Sequence, residues 1–414
     1  MKKGLGWILA VVGVVLVAAG LVMALAVVPG MKKMPADTDV TRTYEGTMPV
    51  MLNPQTFEFV RDVPIELKRH FKVVETDGDL ALVKEERTMT SGGQPLEQMV
   101  CDYSINRSTM MWGTGYPEAW KSSEGFWDRE GIVLSWPIDS QKHDYTGWSD
   151  DYRSTVPLEF ANETKHARSG MTLYTYISAS VARPIAPEEV AALGLPATLP
   201  KKQLESMIAQ AQVSPMVVAM IPKLLANVPG DTVPLKYFYE YQGTYWVDPA
   251  TGILVDTEKH ELRKVGFADE ALAGTPLENM TDEQKAGLAV TISDYTYKAT
   301  DQSVKEAADD AKSKGRALTL YGTYLPWGGV IVGVVLLVLG LVFVVVGPKR
   351  AAAPEPPSEC GDGGGGGGAA APLPRPQAPC QARQSGARGK GQCGDLNRGQ
   401  SSVSSRSSPS LAAG

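Results

Sequence analysis

Two uncharged apolar stretches, Leu5–Val28 and Leu325–Gly347, stand near opposite ends of a 414-residue chain and limit what it can fold into. Each exceeds the roughly 20 residues a helix needs to cross a bilayer. At about 1.5 Å of rise per residue, the first reaches about 36 Å, against roughly 30 Å of hydrocarbon. The mostly polar chain between them is too long for a loop. It predicts one large water-exposed domain over 31–316, held at both ends by transmembrane helices over 5–28 and 325–347. Residues 1–4 form a short N-terminus. The segment 348–414 is rich in Gly, Pro, Ala and Ser and has too little apolar surface to offset chain entropy, so it is expected to be a disordered tail.

Ala24-Leu25-Ala26 resembles a signal-peptidase site, but the apolar run ahead of it is longer than the roughly 7–15 residues of a cleaved signal, so the first helix reads as an uncleaved signal anchor. Tyr321, Tyr324 and Trp327 supply an interfacial belt for the second helix, and Lys349-Arg350 close its far end. Basic residues flank both sides of the anchors: Lys2 and Lys3 before the first, Lys32 and Lys33 after it, and Lys312, Lys314 and Arg316 before the second. The basic tail and the long first anchor favour both termini in the cytoplasm and the domain outside the plasma membrane. Gly6, Gly13 and Gly20 recur every seventh residue, as do Gly333, Gly340 and Gly347. Seven residues is close to two turns, so each set forms a small-residue stripe through which the two helices are expected to pair antiparallel. The alternative is that Gly is simply common in membrane helices.

The chain carries 46 acidic and 40 basic residues, for a net charge of −6. The basic excess lies at the N-terminus and in the tail, so the central domain is acidic, which argues against nucleic acid as a partner. Cys101 is the domain's single cysteine and reads as a small buried apolar residue. Cys360, Cys380 and Cys393 lie in the tail without the spacing of a zinc site.

Strand signals dominate the domain. Ile65–Thr76 and Leu80–Thr90 flank Asp77-Gly78-Asp79 as a hairpin, and Thr155–Lys165 and Met171–Ala182 flank a turn at Arg168-Ser169-Gly170. Leu235–Gln242 alternates tyrosines on one face, and Gly243 is expected to turn the chain into Thr244–Val247. Asp248-Pro249-Ala250-Thr251-Gly252 forms a further turn before Ile253–Val265, and Leu288–Ala299 follows. Helix is expected in an insertion over 187–227, at Pro187–Leu193, Lys201–Gln212 and Met216–Asn227, the last interrupted by Pro222. That apolar segment is either core, a cap on a lipid cavity, or a segment dipping into the membrane surface. Asp301–Lys314 reads as a charged helix leading into the second anchor. The fold class is therefore mainly β, an α+β domain of antiparallel strands with a small helical insertion, flanked by two transmembrane helices.

No G-x-S-x-G elbow, H-E-x-x-H helix or G-x-x-x-x-G-K-[ST] loop occurs, so no catalytic residue is assigned and a non-enzymatic protein is expected. His70, His143, His166 and His260 have no metal-spaced neighbours, and no metal or cofactor is expected. Aromatic placement is the feature with functional promise. Trp112, Trp120, Trp127, Trp136 and Trp148 cluster between Tyr103 and Tyr152, and with Tyr237, Tyr239 and Tyr241 they are candidate ligand-binding residues. Rings stack on the C–H faces of sugars and glycolipids while carboxylates accept hydroxyl protons. The tyrosine stripe is equally read as ordinary sheet packing.

The runs Arg129-Glu130-Gly131-Ile132, Ser135-Trp136-Pro137, Asp144-Tyr145-Thr146-Gly147-Trp148, Gly170-Met171-Thr172-Leu173-Tyr174-Thr175-Tyr176 and Tyr245-Trp246-Val247-Asp248-Pro249-Ala250-Thr251-Gly252 resemble the PorA-like envelope proteins of actinobacteria. The resemblance covers roughly residues 1–347. It implies a cell-membrane protein whose domain faces the envelope, and mycobacterial relatives are associated with polar growth and mycolate glycolipid trafficking beside MmpL-type exporters. The family name implies a porin, yet a porin needs tilted strands with a lipid-facing apolar side, and this chain has helical anchors instead. The expected function is binding of a lipid or glycolipid, or support of a lipid exporter, in envelope assembly, with membrane lipids, a glycolipid ligand and an MmpL-type exporter or other envelope proteins as partners. The alternative is a structural protein that docks envelope machinery through a Trp-rich surface without a ligand.

Overall fold

A computed structural model describes residues 2–346 apart from 54, 55, 212 and 214; Gly347 and the tail expected over 348–414 lie outside the described residues. Helix α1 (Lys2–Val22) runs on through a π turn at Met23–Val27 and a last turn at Val28–Met31. Strands β1 (Asp39–Leu52), β2 (Phe59–Asp77), β3 (Leu80–Ser91) and β4 (Gln94–Asn106) follow as a meander. After a long irregular segment come β5 (Tyr145–Ser149), β6 (Ser154–Lys165) and β7 (Thr172–Pro184). The insertion holds α2 (Pro187–Ala192), β8 (Thr198–Pro200), α3 (Lys201–Gln210) and α4 (Pro215–Asn227). Then β9 (Thr232–Val247), β10 (Leu254–Phe267), α5 (Asp269–Leu272), α6 (Asp282–Leu288) and β11 (Val290–Ala299) lead into α7 (Asp301–Thr319). A π turn at Leu320–Tyr324 joins α7 to α8 (Leu325–Val346).

Ten strands form one antiparallel sheet in the order β4-β3-β2-β1-β11-β10-β9-β7-β6-β5, with the short β8 paired to β9. The mainly β fold with helical parts and apolar helices at both ends is thus the one the sequence implies. Pairing of β1 with β11, Tyr44 opposite Ala299, sets the strand that follows the first anchor beside the one that precedes the second. Both anchors therefore leave the sheet at the same end.

The sheet curls until its edge strands approach each other. Single bridges close the gap: Ile105 to Trp112, Met111 to Ile132, and Ile132 to Gly147. Trp112 N donates to Gly131 O and Ile132 N to Thr146 O, both at 2.8 Å. Gly131 has φ +71° and lies against the Thr146 carbonyl, so only glycine fits there. Closure covers two edges that would otherwise present unpaired backbone groups. The outward row of β2 is Glu66, Lys68, His70 and Lys72, and that of β1 includes Thr41, Thr43 and Glu45. A transmembrane barrel needs an apolar outer band about 25 Å tall, which these charged rows do not supply, and the two apolar helices are the membrane-spanning candidates.

The hairpins at Gly78 and Gly170 lie where the turn chemistry puts them, with φ +56° and +68°. Gly243 does not turn the chain. Strand β9 passes straight through it, held by pairing with Lys259 of β10 and Ser178 of β7; a Cβ there would lie 2.8 Å from the Tyr245 hydroxyl, so this glycine serves close packing. Strands β1, β4, β5 and β8 are additions to the sequence-derived set. The helix expected at Asp301–Lys314 extends to Thr319 and runs into the second anchor without a break.

Helices α1 and α8 pack antiparallel through their glycines. A Cβ on Gly13 would meet Gly333 O at 2.6 Å, one on Gly6 would meet Gly340 O at 2.9 Å, and one on Gly20 would meet Pro326 O at 2.6 Å. Backbones this close leave no room for a side chain, and in lipid such packing is the main attraction between helices. Gly13→Leu with Gly333→Leu is expected to abolish cysteine crosslinking between the helices and to lower stability by about 1–3 kcal/mol through overpacking. Unchanged crosslinking in the double variant would show that the glycines are incidental.

Candidate functional site

The inner face of the curled sheet encloses a lumen of three abutting cavities. At the end away from the anchors lies a cavity of about 990 Å³, walled by Met48, Met51, Met89, Met99, Leu199 and Met207. A narrow central cavity of about 170 Å³ follows, lined by Arg69, Arg87, Tyr239, Lys259, Glu261 and Arg263. At the anchor end lies a third, of about 290 Å³, beneath α7. The distal and central cavities share Met99, Glu189 and Arg263; the central and anchor-side cavities share Arg69, Leu134, Trp136 and Leu254.

Two buried carboxylates organise the middle. Glu261 on β10 accepts hydrogen bonds from the hydroxyls of Tyr239 at 2.6 Å, Tyr295 at 2.9 Å and Tyr297 at 2.8 Å, with Lys259 Nζ at 3.0 Å. Burial opposes its charge, but Lys259 and Arg263 outweigh burial and hold the carboxyl well below the usual range. Glu85 on β3 accepts from Arg69 Nε at 2.7 Å and Tyr103 Oη at 2.8 Å. Here too burial pushes upward, and the Arg69 and Arg87 guanidiniums overcome it, bringing the carboxyl down to about 2. Arg263 of β10 lies 3.2 Å from Asp151 and 3.8 Å from Glu97 of β4, so ion pairs cross the lumen. Together these groups form a charged partition between two apolar compartments.

A second polar group stands at the floor of the distal cavity. The Arg129 and Arg153 guanidiniums lie over the ring of Trp127, 4.0 and 4.8 Å from its centroid. Arg153 faces Glu189 at 3.8 Å. Trp127 Nε1, Arg129 Nη2, Arg153 Nε and Glu189 Oε2 are all buried without a hydrogen-bond partner among the described residues. Buried polar atoms are ordinarily paired, and of these four groups Trp127 and Glu189 belong to the wall of the distal cavity. Burial, followed by Asp151 and Asp150, pushes the Glu189 carboxyl up to about 7.

The structure separates the sequence-derived residues into several places. Trp127 and Tyr237 line the distal cavity, Tyr239, Tyr241, Trp136 and Trp148 the central one, and Trp136 also the anchor-side one. Tyr237 donates to Pro196 O and Trp148 to Asp150, and Tyr241 shares a hydrogen bond with Ser178. Trp120 is buried against Glu75 outside the lumen, and Trp112 packs with Tyr116 and Phe126 near the closure. Of the stripe glycines, Gly6, Gly13, Gly20, Gly333 and Gly340 lie at the α1–α8 contact. Cys101 is buried, and burial pushes its thiol up to about 12. No group of three potential metal ligands is present among the described residues. The carboxylate hub and the methionine wall went unread in the sequence. The available signal was β10 itself, where Lys259, Glu261 and Arg263 alternate with Glu258, His260 and Lys264, because a strand charged on both faces must hide one of them.

Glu261→Ala is expected to destabilise the domain by about 3–5 kcal/mol in denaturant melts, since it strands Lys259 and Arg263 without their counter-charge. A change within about 0.5 kcal/mol, typical of a surface site, would contradict a closed hub. The pH dependence of the two kinds of carboxylate runs in opposite directions. Glu85 and Glu261, depressed in the fold, contribute stability above the unfolded value of about 4.3 that disappears as pH falls through the folded value. Glu189, raised in the fold, costs stability as pH climbs from about 4.3 to about 7. Glu189→Gln is therefore expected to leave the melting temperature nearly unchanged at pH 4 and to raise it at pH 8. A wild-type pH profile in that variant would remove Glu189 from this role.

Comparison with known proteins adds two findings. The family described as Porin PorA matches residues 5–342. A protein named Porin PorA from Corynebacterium amycolatum is 24% identical over 402 residues, covering 84% of this chain and 98% of that protein.

Proposed function

The chain belongs to the Porin PorA family, and from that premise we propose that this membrane protein holds an amphipathic lipid or glycolipid in its water-facing domain, without catalysing a reaction. The observation that carries the reading is the distal cavity: about 990 Å³ of methionine-rich wall with unpartnered polar atoms at its floor. Ligand pockets commonly hold about 300–1,000 Å³, mostly apolar with a few placed polar groups. Methionine is unbranched and adapts to irregular chains. An acyl chain fits the wall, and a hydroxyl-bearing head fits the floor, where Glu189 accepts and the Trp127 N–H donates. The pairing of an aromatic face with a carboxylate is the one that suits a sugar.

The alternative of partner docking through a Trp-rich surface is less well supported. Trp120 and Trp136 are buried, and Trp127 and Trp148 face the lumen. A channel through the sheet has its own obstacle, because charged pairs cross the centre of the lumen. In this reading the domain faces the envelope, both termini lie in the cytoplasm, and a bound lipid is presented to or received from export machinery.

Full-length protein extracted from its native membrane is expected to retain a lipid seen by native mass spectrometry. Leu96→Trp, placed on the half-exposed cavity wall, is expected to reduce that occupancy. At about 0.8 kcal/mol per methylene excluded, loss of three weakens binding about fiftyfold. Absence of any co-purifying lipid, or equal occupancy in the variant, would overturn the proposal.

A further inference from the structure

The anchor-side cavity is separate from the distal one, and its walls show where it opens. One side is the chain leaving the first anchor, Met31, Met34 and Pro35; the opposite side is Ala317 and Leu318, just before α7 turns into the second anchor. The opening thus lies where both helices leave the apolar layer. Val40, Phe71, Val83, Met110 and Ile138 make the interior apolar. Lys314 on the lining is exposed with no ion pair among the described residues, as are Lys32 and Arg316, which adjoin the lining residues Met31 and Ala317 in sequence; the lining acid Asp310 is paired with Arg42. The Trp136 indole N–H at the inner end is buried with no acceptor.

We propose that this cavity seats an acyl chain of an anionic phospholipid drawn from the surrounding bilayer, its headgroup held by Lys314, Arg316 and Lys32. The occupant follows from position and charge. A chain entering here comes directly from the bilayer without crossing water, and exposed cations beside an anchor attract anionic headgroups rather than zwitterionic ones. The inference extends the lipid-binding reading but rests on a different cavity. The charged partition of Glu85, Arg69, Glu261 and Arg263 lies between the two, so an acyl chain in one does not thread into the other.

The test uses the full chain in phosphatidylcholine nanodiscs doped with phosphatidylglycerol carrying a diazirine on one acyl chain. A parallel sample carries the same group on phosphatidylcholine. After irradiation, adducts are mapped by mass spectrometry. The expected result is adducts on Met34, Phe71 or Met110, at least about fivefold more abundant from phosphatidylglycerol, the factor one surface cation contributes. Lys314→Glu with Arg316→Glu, both exposed and distant from the core, is expected to remove that excess. Adducts confined to α1 and α8, or equal yields from the two headgroups, would overturn the inference. Adducts on Leu96 or Leu199 report the distal cavity instead, so the two lipid readings fail separately.

Discussion

Everything inside this domain depends on keeping an ionised carboxylate dry. A glutamate taken out of water is tolerated only when its charge is matched and its oxygens are bonded. Glu261 meets both conditions through three tyrosine hydroxyls and a lysine, supplied by β9, β10 and β11. Those strands must hold their mutual register for the hub to exist, and the hub in turn penalises any slip that would strand Lys259 or Arg263. The result is a sheet whose lumen is charged at its middle and apolar at both ends, unlike the water-filled interior of a porin.

The anchors and the lumen are one construction. Because β1 and β11 are neighbours, the chain enters and leaves the sheet at one mouth, and α7 crosses that mouth on its way to α8. Val304, Ala307, Ala308 and Ala311 are the buried face of α7, small enough to lie close over the sheet. Thr43 N donates to Ser303 Oγ, and Arg42 reaches Asp310 at 3.0 Å, fixing the helix to β1. The glycine contact between α1 and α8 then carries the same alignment into the membrane. A cavity at this mouth lies beside the roots of both apolar helices, whereas the opposite cavity lies beneath the helical insertion.

Local chemistry made some of this legible in the sequence and long-range closure hid the rest. The turns at Gly78, Gly170 and Gly252 need backbone angles that glycine adopts freely, and each was readable. The alternating tyrosines of β9 marked a buried face. By contrast β1 and β4 carry mixed, half-polar patterns, since their inward residues include Arg42, which meets Asp310 only when α7 packs over the sheet, and Glu97, which meets Arg263 only once the sheet curls. The closing segment 107–144 makes single bridges instead of a ladder, so it has no strand periodicity to read. Gly243 misled because its role, making space for Tyr245, depends on a neighbour that folds over it. Of the clustered tryptophans, Trp127, Trp136 and Trp148 line the lumen, while Trp112 and Trp120 lie outside it. Arg153, which lies over Trp127, and Glu189, which faces Arg153, come from outside that cluster, and no spacing rule connects them.

The claim on which the account rests is that the lumen's centre is a charge-paired partition, and the ionisation of Glu261 reports that pairing directly. In the full chain, the carboxyl carbon of Glu261 followed by NMR against pH is predicted to stay ionised well below the pH at which a solvated glutamate protonates, held there by Lys259, Arg263 and three tyrosine donors. A midpoint near about 4.3, the value of a solvated glutamate, would mean that these partners do not hold the carboxylate, and the division of the lumen into two apolar compartments would not stand.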